Sequence, residues 1–498
     1  MPVPSALRGI PRYRLPTRNS CSPATTRRNL NPTALSSGSL SREGRLSARM
    51  MVHAHRNAEV SHRHQRSTEE QLPYLFDGVE YTSLEGLMDR YRAEVKRICE
   101  ETPGVPGKDL FEDLMFIKAL EAVGFSAMLT SSGVNPLVFV PLGIAEAVTW
   151  IGFIHHVMHG CTDKQENLNP LVQKEFVRKW GSWYLRSPFV KTLDGWEKEH
   201  SIHHRDTNGY TDPDLVERNF RSISSLDLPK PVKDLLLFGV LCMWQDYYYV
   251  PTNIKKHLDE NHPEFKEHPQ IRFRDFNLNN ESGRELSLRV LKGIVEFNAQ
   301  HILLPVAIAY YLSQSPKGDK LPSHFCESVG INLVLSRLMA NLWSAVNVVP
   351  NHTGSGIKKV EGDQGELKIL LSAMLGTADT DFSFDKYLPP QVNKFIADLK
   401  ERLPFLKQLH LRFTGNLSEQ IEHHACPKFT RSQLDRLRVV IEELAEEYGI
   451  ELVRDPLIKR IKEMFEATDG KELEKVSFKK LSPTEVERLK AQGKIHKV

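Results

Sequence analysis

Long apolar segments alternate with polar ones along the 498 residues of this chain. The clearest apolar segment, 136–154, holds nineteen residues and a single charge, Glu146. Segments 293–312 and 329–350 are similar in length with one or two polar interruptions, and 114–130 is a weaker candidate. A helix of about 20 apolar residues crosses the hydrocarbon core of a membrane. The pattern therefore predicts membrane-spanning helices, with buried helices of a soluble protein as the alternative.

The other segments face water or the membrane surface. Segment 235–250 is short and ends in Gln245, Asp246 and three tyrosines, a composition that favours the interface of a membrane over its centre. Segment 251–290 is rich in Lys, Glu, Asn and Pro, and 428–498 contains an amphipathic helix followed by a charged tail. The chain thus has two apolar blocks, each followed by a polar segment.

Composition narrows the class of protein. Lys and Arg number 66 against 63 Asp and Glu, a net charge of +3, which argues against a dedicated nucleic-acid-binding protein. Apolar residues make up 40% and charged residues 26%, so the chain is neither disordered nor built mostly of membrane spans. The six cysteines lie far apart without a CxxC pair, which argues against a disulfide framework and against a thiolate zinc site.

The first fifty residues differ from the rest of the chain. They contain nine Arg, no Lys, twelve Ser or Thr and one acid, Glu43, a composition typical of a mitochondrial or plastid transit peptide. A disordered tail without targeting function is the alternative. We expect residues 1–70 to form a disordered leader, 71–110 a polar N-terminal region and 431–498 a charged helical C-terminal tail.

Three clusters of histidine lie where the apolar blocks meet polar segments. Their side chains are three or four residues apart, a spacing that places them on one face of a helix. The clusters are 155–159 (HHVMH), 200–204 (HSIHH) and 420–424 (QIEHH), and a further histidine, His352, follows the last apolar segment. Imidazoles without thiolates suit iron, copper or zinc. Because these histidines are too many for one ion, the pattern predicts a two-metal site at a membrane boundary, with an apolar substrate.

The clusters resemble the histidine boxes of the membrane fatty acid desaturase family, HxxxH, HxxHH and (H/Q)xxHH. We refer to them as the first, second and third box. The third box, in GNLSEQIEHHACP, is similar to the GxxxxQIEHHxxP stretch of the front-end desaturases. The RDTNGYTDPDL run after the second box is similar to the threonine-asparagine and acidic run that follows this box in the front-end desaturases. The resemblance covers roughly 110–430.

The resemblance implies an all-α integral membrane protein with about four transmembrane helices in two hairpins. A helical cap domain would hold a di-iron site, and 111–430 would be the desaturase domain. Because all boxes must lie on one side of the membrane, 114–130 and 136–154 would form one hairpin, and 293–312 and 329–350 the other. The implied iron ligands are His155, His159, His200, His203, His204, His352, His423 and His424, with Gln420 as a ligand or as a group behind one.

This chain departs from the family pattern in three places. Ala425 and Cys426 follow the third box, where Leu and Phe are usual. His156 and Met158 replace the Asp and Gly that are usual in the first box, and whether His156 is a ligand stays open. No HPGG haem motif of a fused cytochrome b5 domain occurs in the sequence. The resemblance therefore implies a separate electron donor, which would be ferredoxin in a plastid or cytochrome b5 in the endoplasmic reticulum.

The resulting expectation is an O2-dependent desaturase that introduces a double bond into an acyl lipid or an acyl-CoA, with front-end regioselectivity implied by Gln420. Glu422, Asp206 and Asp212 are candidates for carboxylates that orient the imidazoles. The expected location is a mitochondrial, plastid or endoplasmic reticulum membrane. A lipid hydroxylase and a catalytically inactive desaturase homologue are alternatives, and a histidine-rich membrane protein that binds or transports metal is an alternative of another class.

Overall fold

Helices dominate the part of the chain that the computed structural model describes, which confirms the prediction of a mostly helical protein. The described residues are 74–480, without 77–83, 85, 167, 269, 316–317, 363–364, 382–390, 393, 395–401, 404 and 471, together with 484 and 488. The predicted leader, 1–70, lies outside them. The helices are α1 (Leu87–Glu101), α2 (Val105–Met128), α3 (Pro136–Met158), α4 (Lys174–Tyr184), α5 (Leu193–Arg205), α6 (Val216–Ser224), α7 (Lys230–Leu241), α8 (Val250–Leu258), α9 (Glu281–Asn298), α10 (Leu304–Ser313), α11 (Phe325–Val348), α12 (Glu366–Gly376), α13 (Phe405–Phe413), α14 (Gln420–Ala425), α15 (Arg431–Glu447) and α16 (Leu457–Glu466).

Two of the described helices are long and apolar enough to cross a membrane, α3 and the helix formed by α11 with its extension to His352. The side chain of Asn135 caps α3 by accepting a hydrogen bond of 3.0 Å from the amide of Leu137. Packed between α2 and α11, α3 approaches α11 closely at Gly143, where an added Cβ would lie 2.6 Å from that of Met339. The two helices coincide with the predicted apolar segments 136–154 and 329–350.

The described part of the chain contains five short strands, which the sequence did not predict and which connect distant segments. They are β1 (Tyr74–Phe76), β2 (Lys358–Gly362), β3 (Ala378–Asp381), β4 (Val453–Pro456) and β5 (Glu474–Lys480). In the first sheet β5 is central, antiparallel to β1 and parallel to β2, with Lys358 opposite Glu474. In the second, β3 is parallel to β4, with Ala378 opposite Val453. The C-terminal segment is therefore paired with the histidine-bearing region rather than separate from it.

Buried ion pairs join helix α15 to α2. The guanidinium of Arg431, at the start of α15, lies 2.5 Å from a carboxylate oxygen of Asp113 and 3.3 Å from one of Asp109. Burial raises the pKa of Asp113, and the neighbouring Arg431 opposes that rise. Breaking such a pair would leave a buried charge without a partner. The predicted amphipathic helix of the tail is thus part of the core around the histidines.

The backbone just before the first box and the backbone just before the third box meet at two glycines. An added Cβ on Gly152 of α3 would lie 2.8 Å from the Cα of Gly415, and one on Gly415 would lie 2.9 Å from the amide nitrogen of Gly152. Gly415 also has a φ of 64°, a left-handed conformation that favours glycine. This contact brings the turn before α14 against the end of α3.

We expect Gly415→Ala to destabilise the protein more than Gly449→Ala. Gly449 has nearly the same left-handed φ, 63°, but open space around it, so alanine there should lower the free energy of unfolding by about 1–2 kcal/mol through backbone strain alone. Overpacking at Gly415 should add about 1–3 kcal/mol. Thermal unfolding of the purified variants measures the difference, and equal losses would contradict a tight contact with Gly152.

Candidate metal centre

The first box lies at the C-terminal end of α3. A π-helical turn, a feature often found at functional sites, directly precedes His155. The Nε2 atom of His155 lies 2.8 Å from Nε2 of His423 in the third box, and His159 lies beside both. His156 points elsewhere, because its Nδ1 is 2.8 Å from the carbonyl oxygen of Gly152 in the same helix. The structure therefore places His155 and His159 next to the other predicted ligands, whereas His156 lies apart from them.

The second box lies at the C-terminal end of α5. His200 Nε2 is 3.1 Å from Nε2 of His155 and 2.9 Å from Nε2 of His204, one turn further along α5. The ring of His203 lies on another side of the helix, with its centroid 4.8 Å from that of His424. The second box thus contributes to two different clusters of imidazoles.

The third box divides in the same way. His423 and His424 are adjacent in α14, so their side chains point about 100° apart around a helix with 3.6 residues per turn. His423 faces the first box, whereas His424 faces His203. Gln420, one turn earlier, places its Nε2 atom 3.1 Å from Nε2 of His352, at the end of the α11 extension.

The predicted ligands therefore form two groups, which are buried except for the half-buried His159. Within each group, one ring nitrogen of every histidine lies within 4.8 Å of the others. The five-histidine group is His155, His159, His200, His204 and His423, and the three-histidine group is His203, His352 and His424, with Gln420 beside it. A further set with metal-compatible spacing, Glu199 and Asp214, shares His200 with the five-histidine group.

Metal ions fit the unpaired nitrogens of both groups. Buried atoms without a hydrogen-bond partner among the described residues include Nε2 of His159 and His424 and Nδ1 of His352. Nitrogens that bind one ion at about 2.1 Å lie about 3 Å apart when their bonds meet at right angles. The Nε2–Nε2 distances in the five-histidine group are 2.8–3.1 Å. The groups can therefore hold metal ions, and imidazole donors suit iron, copper or zinc better than calcium or magnesium.

Burial keeps these imidazoles in the neutral state. Removal from water lowers the pKa of His200 and His204 well below its usual 6.5, and the neighbouring histidines lower it further. The same two causes lower the pKa of His423 and His424. Neutral imidazole is the form that binds a metal ion, so the lowered pKa of these four histidines favours metal binding.

Asp212 orients His203 in the three-histidine group. Its Oδ1 atom lies 2.9 Å from His203 Nδ1, and both side chains are buried. Burial alone would lower the pKa of His203, but the carboxylate of Asp212 outweighs this effect and the pKa is raised. A carboxylate behind a ligating histidine fixes the ring and raises its basicity. Asp206 and Glu422, the other two predicted carboxylates, form ion pairs with basic side chains instead.

Two side chains beside the histidines were missed by the sequence analysis. The hydroxyl of Thr207 lies 3.0 Å from Nδ1 of His424, and the ring of Trp196 is stacked on His200 with centroids 4.4 Å apart. Each is one helical turn from a histidine of the second box, a spacing that could have drawn attention to them. Both residues hold imidazoles in place.

A largely apolar cavity of about 970 Å³ opens onto both histidine groups. Its size is at the upper end of the range for small-molecule sites in proteins. Helix α7, the tyrosines at 247–249 and the segment 270–273 form much of its wall. At its inner end the lining residues are His155, His200, His203, His352 and Gln420. A long apolar molecule in this cavity would therefore lie against both groups.

Comparisons with known proteins provide no template for this site. No protein family, no curated protein and no solved structure matches the chain. The chemistry of the site is therefore argued from the arrangement of its own side chains.

We expect the two groups to bind metal separately. His200→Ala removes a nitrogen from the five-histidine group, and His424→Ala removes one from the three-histidine group. Each variant should therefore retain less metal than the unmodified protein by elemental analysis. His257→Ala is the matched control, because His257 is exposed on α8 and belongs to neither group. Full metal content in both variants would contradict the site.

Removal of Asp212 should weaken metal binding without removing a ligand. Asp212→Ala releases the ring of His203, and loss of such a carboxylate typically lowers metal affinity about 10–100-fold. Competition with a chelator measures the affinity. Asp227→Ala, which changes an exposed carboxylate of the same region, is the control and should leave the affinity unchanged. Equal affinity in the two variants would show that Asp212 does not act on the metal site.

Proposed function

We propose that this protein is an O2-dependent fatty acyl desaturase with two iron ions, as the resemblance of its histidine boxes implies. The observation that carries the proposal is that two adjacent, largely buried groups of histidines open onto one largely apolar cavity. An ion in each group would face the same stretch of a bound acyl chain. This arrangement suits the removal of two hydrogens from neighbouring methylenes.

The chain's own side chains have separate roles in this proposal. Each of the two histidine groups would hold one iron. Gln420 would act in the three-histidine group, either as a ligand or as a group behind one. Bound iron would supply the activation of O2, which is the chemistry of the cofactor rather than of the protein. Trp150 and Trp196 are nearly fully buried beside the five-histidine group and exclude water from it. The cavity wall determines which carbons reach the metals.

The overall reaction balances with a separate reductant. Breaking two C–H bonds to form the double bond releases two electrons and two protons, and reduction of O2 to two water molecules requires four of each. The remaining two electrons and two protons come from the donor and from solvent. In this proposal the donor is cytochrome b5 or ferredoxin, depending on whether the protein lies in the endoplasmic reticulum or in an organelle membrane.

The proposal includes four membrane spans in two hairpins. Two helices meet the criteria of length and composition for a span, and the weaker candidates lie in α2 and in the continuous stretch of α9 and α10. Large apolar side chains are exposed on these weaker candidates as well as on α11, which supports contact with lipid. Examples are Met115, Val123, Phe125, Leu291, Val295, Leu304, Ile308, Ile331, Val334 and Leu338.

Two alternatives are outcomes of the same experiment. A lipid hydroxylase would use the same groups and cavity, because oxygen transfer to the chain competes with removal of the second hydrogen. A protein that only binds or transports metal would not need the apolar cavity, and its ligands would be expected inside the spans. Here the second and third boxes lie on α5 and α14, outside the two helices that meet the criteria for a span, and His155 and His352 lie only at the ends of those two helices.

We expect yeast that express this chain, fed a panel of unsaturated fatty acids, to accumulate a product two mass units lighter than its precursor. His200→Ala and His424→Ala should each abolish the product, because each removes a proposed iron ligand. His257→Ala should retain it. Mass spectrometry of the extracted lipids measures the product and the position of the double bond.

Three results would change this proposal. A product sixteen mass units heavier would identify a hydroxylase, and full activity of His424→Ala would refute the assigned site. If no product forms, the iron content of the purified protein and a matched electron donor are examined next. Iron-free protein would then favour an inactive homologue.

A further inference from the structure

The cavity that reaches the histidine groups opens at one side of the molecule. A residue that lines the cavity and is also exposed must lie at its opening. Four large apolar residues meet both conditions: Leu235 (68% exposed), Leu236 (41%), Met243 (55%) and Phe273 (81%). The opening therefore lies between α7, with the turn that follows it, and the segment 270–273, and its rim is apolar.

Helix α7 has the properties of a helix that lies on a membrane surface. Its twelve residues are about 18 Å long, too short to cross the hydrocarbon core. Phe238 is exposed on it together with the two leucines of the rim, and Lys230 and Lys233 lie at its N-terminal end. Both lysines are half-buried, because Lys230 pairs with Asp234 and Lys233 donates a hydrogen bond of 2.8 Å to the carbonyl oxygen of Ser224. The exposed face of this short helix is therefore mainly apolar, which favours the boundary between headgroups and acyl chains. The opening would then face lipid.

Positive charge accompanies the apolar rim. Arg221 lines the cavity and is exposed, and its guanidinium forms no ion pair with any residue that the structure describes. Arg218 and Arg272 also line the cavity, but both are engaged: Arg218 donates to the carbonyl oxygen of Tyr210 at 3.0 Å, and Arg272 forms an ion pair of 3.1 Å with Asp275. Guanidinium groups bind phosphate well because their donors match its oxygens.

The one acidic residue that lines the cavity among the described residues is engaged in hydrogen bonds near the metals. Asp214 accepts hydrogen bonds from the hydroxyls of Tyr248 and Tyr249 and lies beside His200. It therefore does not neutralise Arg221, which is exposed at the opening. The opening combines an apolar rim with a basic side chain that is available to an anion.

We infer that the substrate of this site is a membrane lipid with an anionic phosphate headgroup, which enters sideways from the bilayer. The inference rests on the proposed desaturase function. One acyl chain passes between α7 and the segment 270–273 to the histidine groups, while the phosphate meets Arg221. The second acyl chain stays in the bilayer against the exposed apolar residues of the rim.

The rim is the feature that favours a lipid over an acyl-CoA. A thioester would be delivered from water, and its large soluble headgroup would rest against Leu235, Met243 and Phe273, whose apolar surface gains nothing from that contact. A diacyl lipid places its glycerol and its second chain at the same position. Both molecules carry phosphate, so Arg221 alone does not distinguish a phospholipid from an acyl-CoA. The experiment below is designed to distinguish them.

The test uses the full chain, loaded with iron and supplied with a reductase and electron donor, in vesicles. The same isotopically labelled acyl chain, chosen from the yeast experiment, is presented in phosphatidylglycerol, in a neutral galactolipid or as a CoA thioester. We expect the labelled product to form fastest from phosphatidylglycerol and slowest from the thioester. Product from the thioester alone would overturn the inference and leave the desaturase intact. No product from any of the three would contradict the desaturase itself.

Variants of the rim separate entry from catalysis. Leu235→Gln with Met243→Gln should slow turnover of the phospholipid while the metal content stays unchanged. Phe238→Gln is the matched control, because Phe238 is exposed on the same helix but does not line the cavity. Arg221→Gln should lower the preference for phosphatidylglycerol over galactolipid about two- to fivefold, the range of an exposed ion pair. An unchanged preference would refute the role of Arg221, and equal rates for the Leu235/Met243 and Phe238 variants would refute the opening.

Discussion

The structure depends on the convergence of eight largely buried imidazoles. Four separate elements bring them together: the ends of α3, α5 and the α11 extension, and the short helix α14. Without a ligand, several of the ring nitrogens are buried and unpaired, which is unfavourable in a protein interior. Metal ions would convert this unfavourable arrangement into a stabilising one, so metal binding and folding of the region that holds these histidines should be thermodynamically coupled.

The surrounding structure serves this convergence. The Gly152–Gly415 contact places the first and third boxes against each other. Buried ion pairs between α15 and α2 stabilise the same region. Asp212 and Thr207 fix individual rings from behind. The small sheets join the chain after α11 to the C-terminal segment. Interactions far from the histidines thereby limit how far any one ring can move.

The apolar cavity connects this polar centre to the surface where lipid is proposed to lie. Its inner end is lined by histidines from both groups, and its outer rim by side chains that would be unfavourable in water. The proposed chemistry and the proposed membrane location therefore require the same wall, formed largely by α7 and the tyrosines after it. An apolar path also keeps water away from the metals, which a reaction at an unactivated carbon chain requires.

The helical class, the apolar segments and the histidines that could act together within each box follow from the sequence alone, because spacing along a helix fixes which side chains share a face. The sequence did not determine how the boxes combine. Only the tertiary structure separated His203 from its neighbours in the second box, and left His156 bonded to its own helix. It also decided that Asp212, rather than Asp206 or Glu422, lies behind a histidine, and it added the strands. These choices depend on the packing of elements distant in the chain, which the local periodicity of a sequence does not encode.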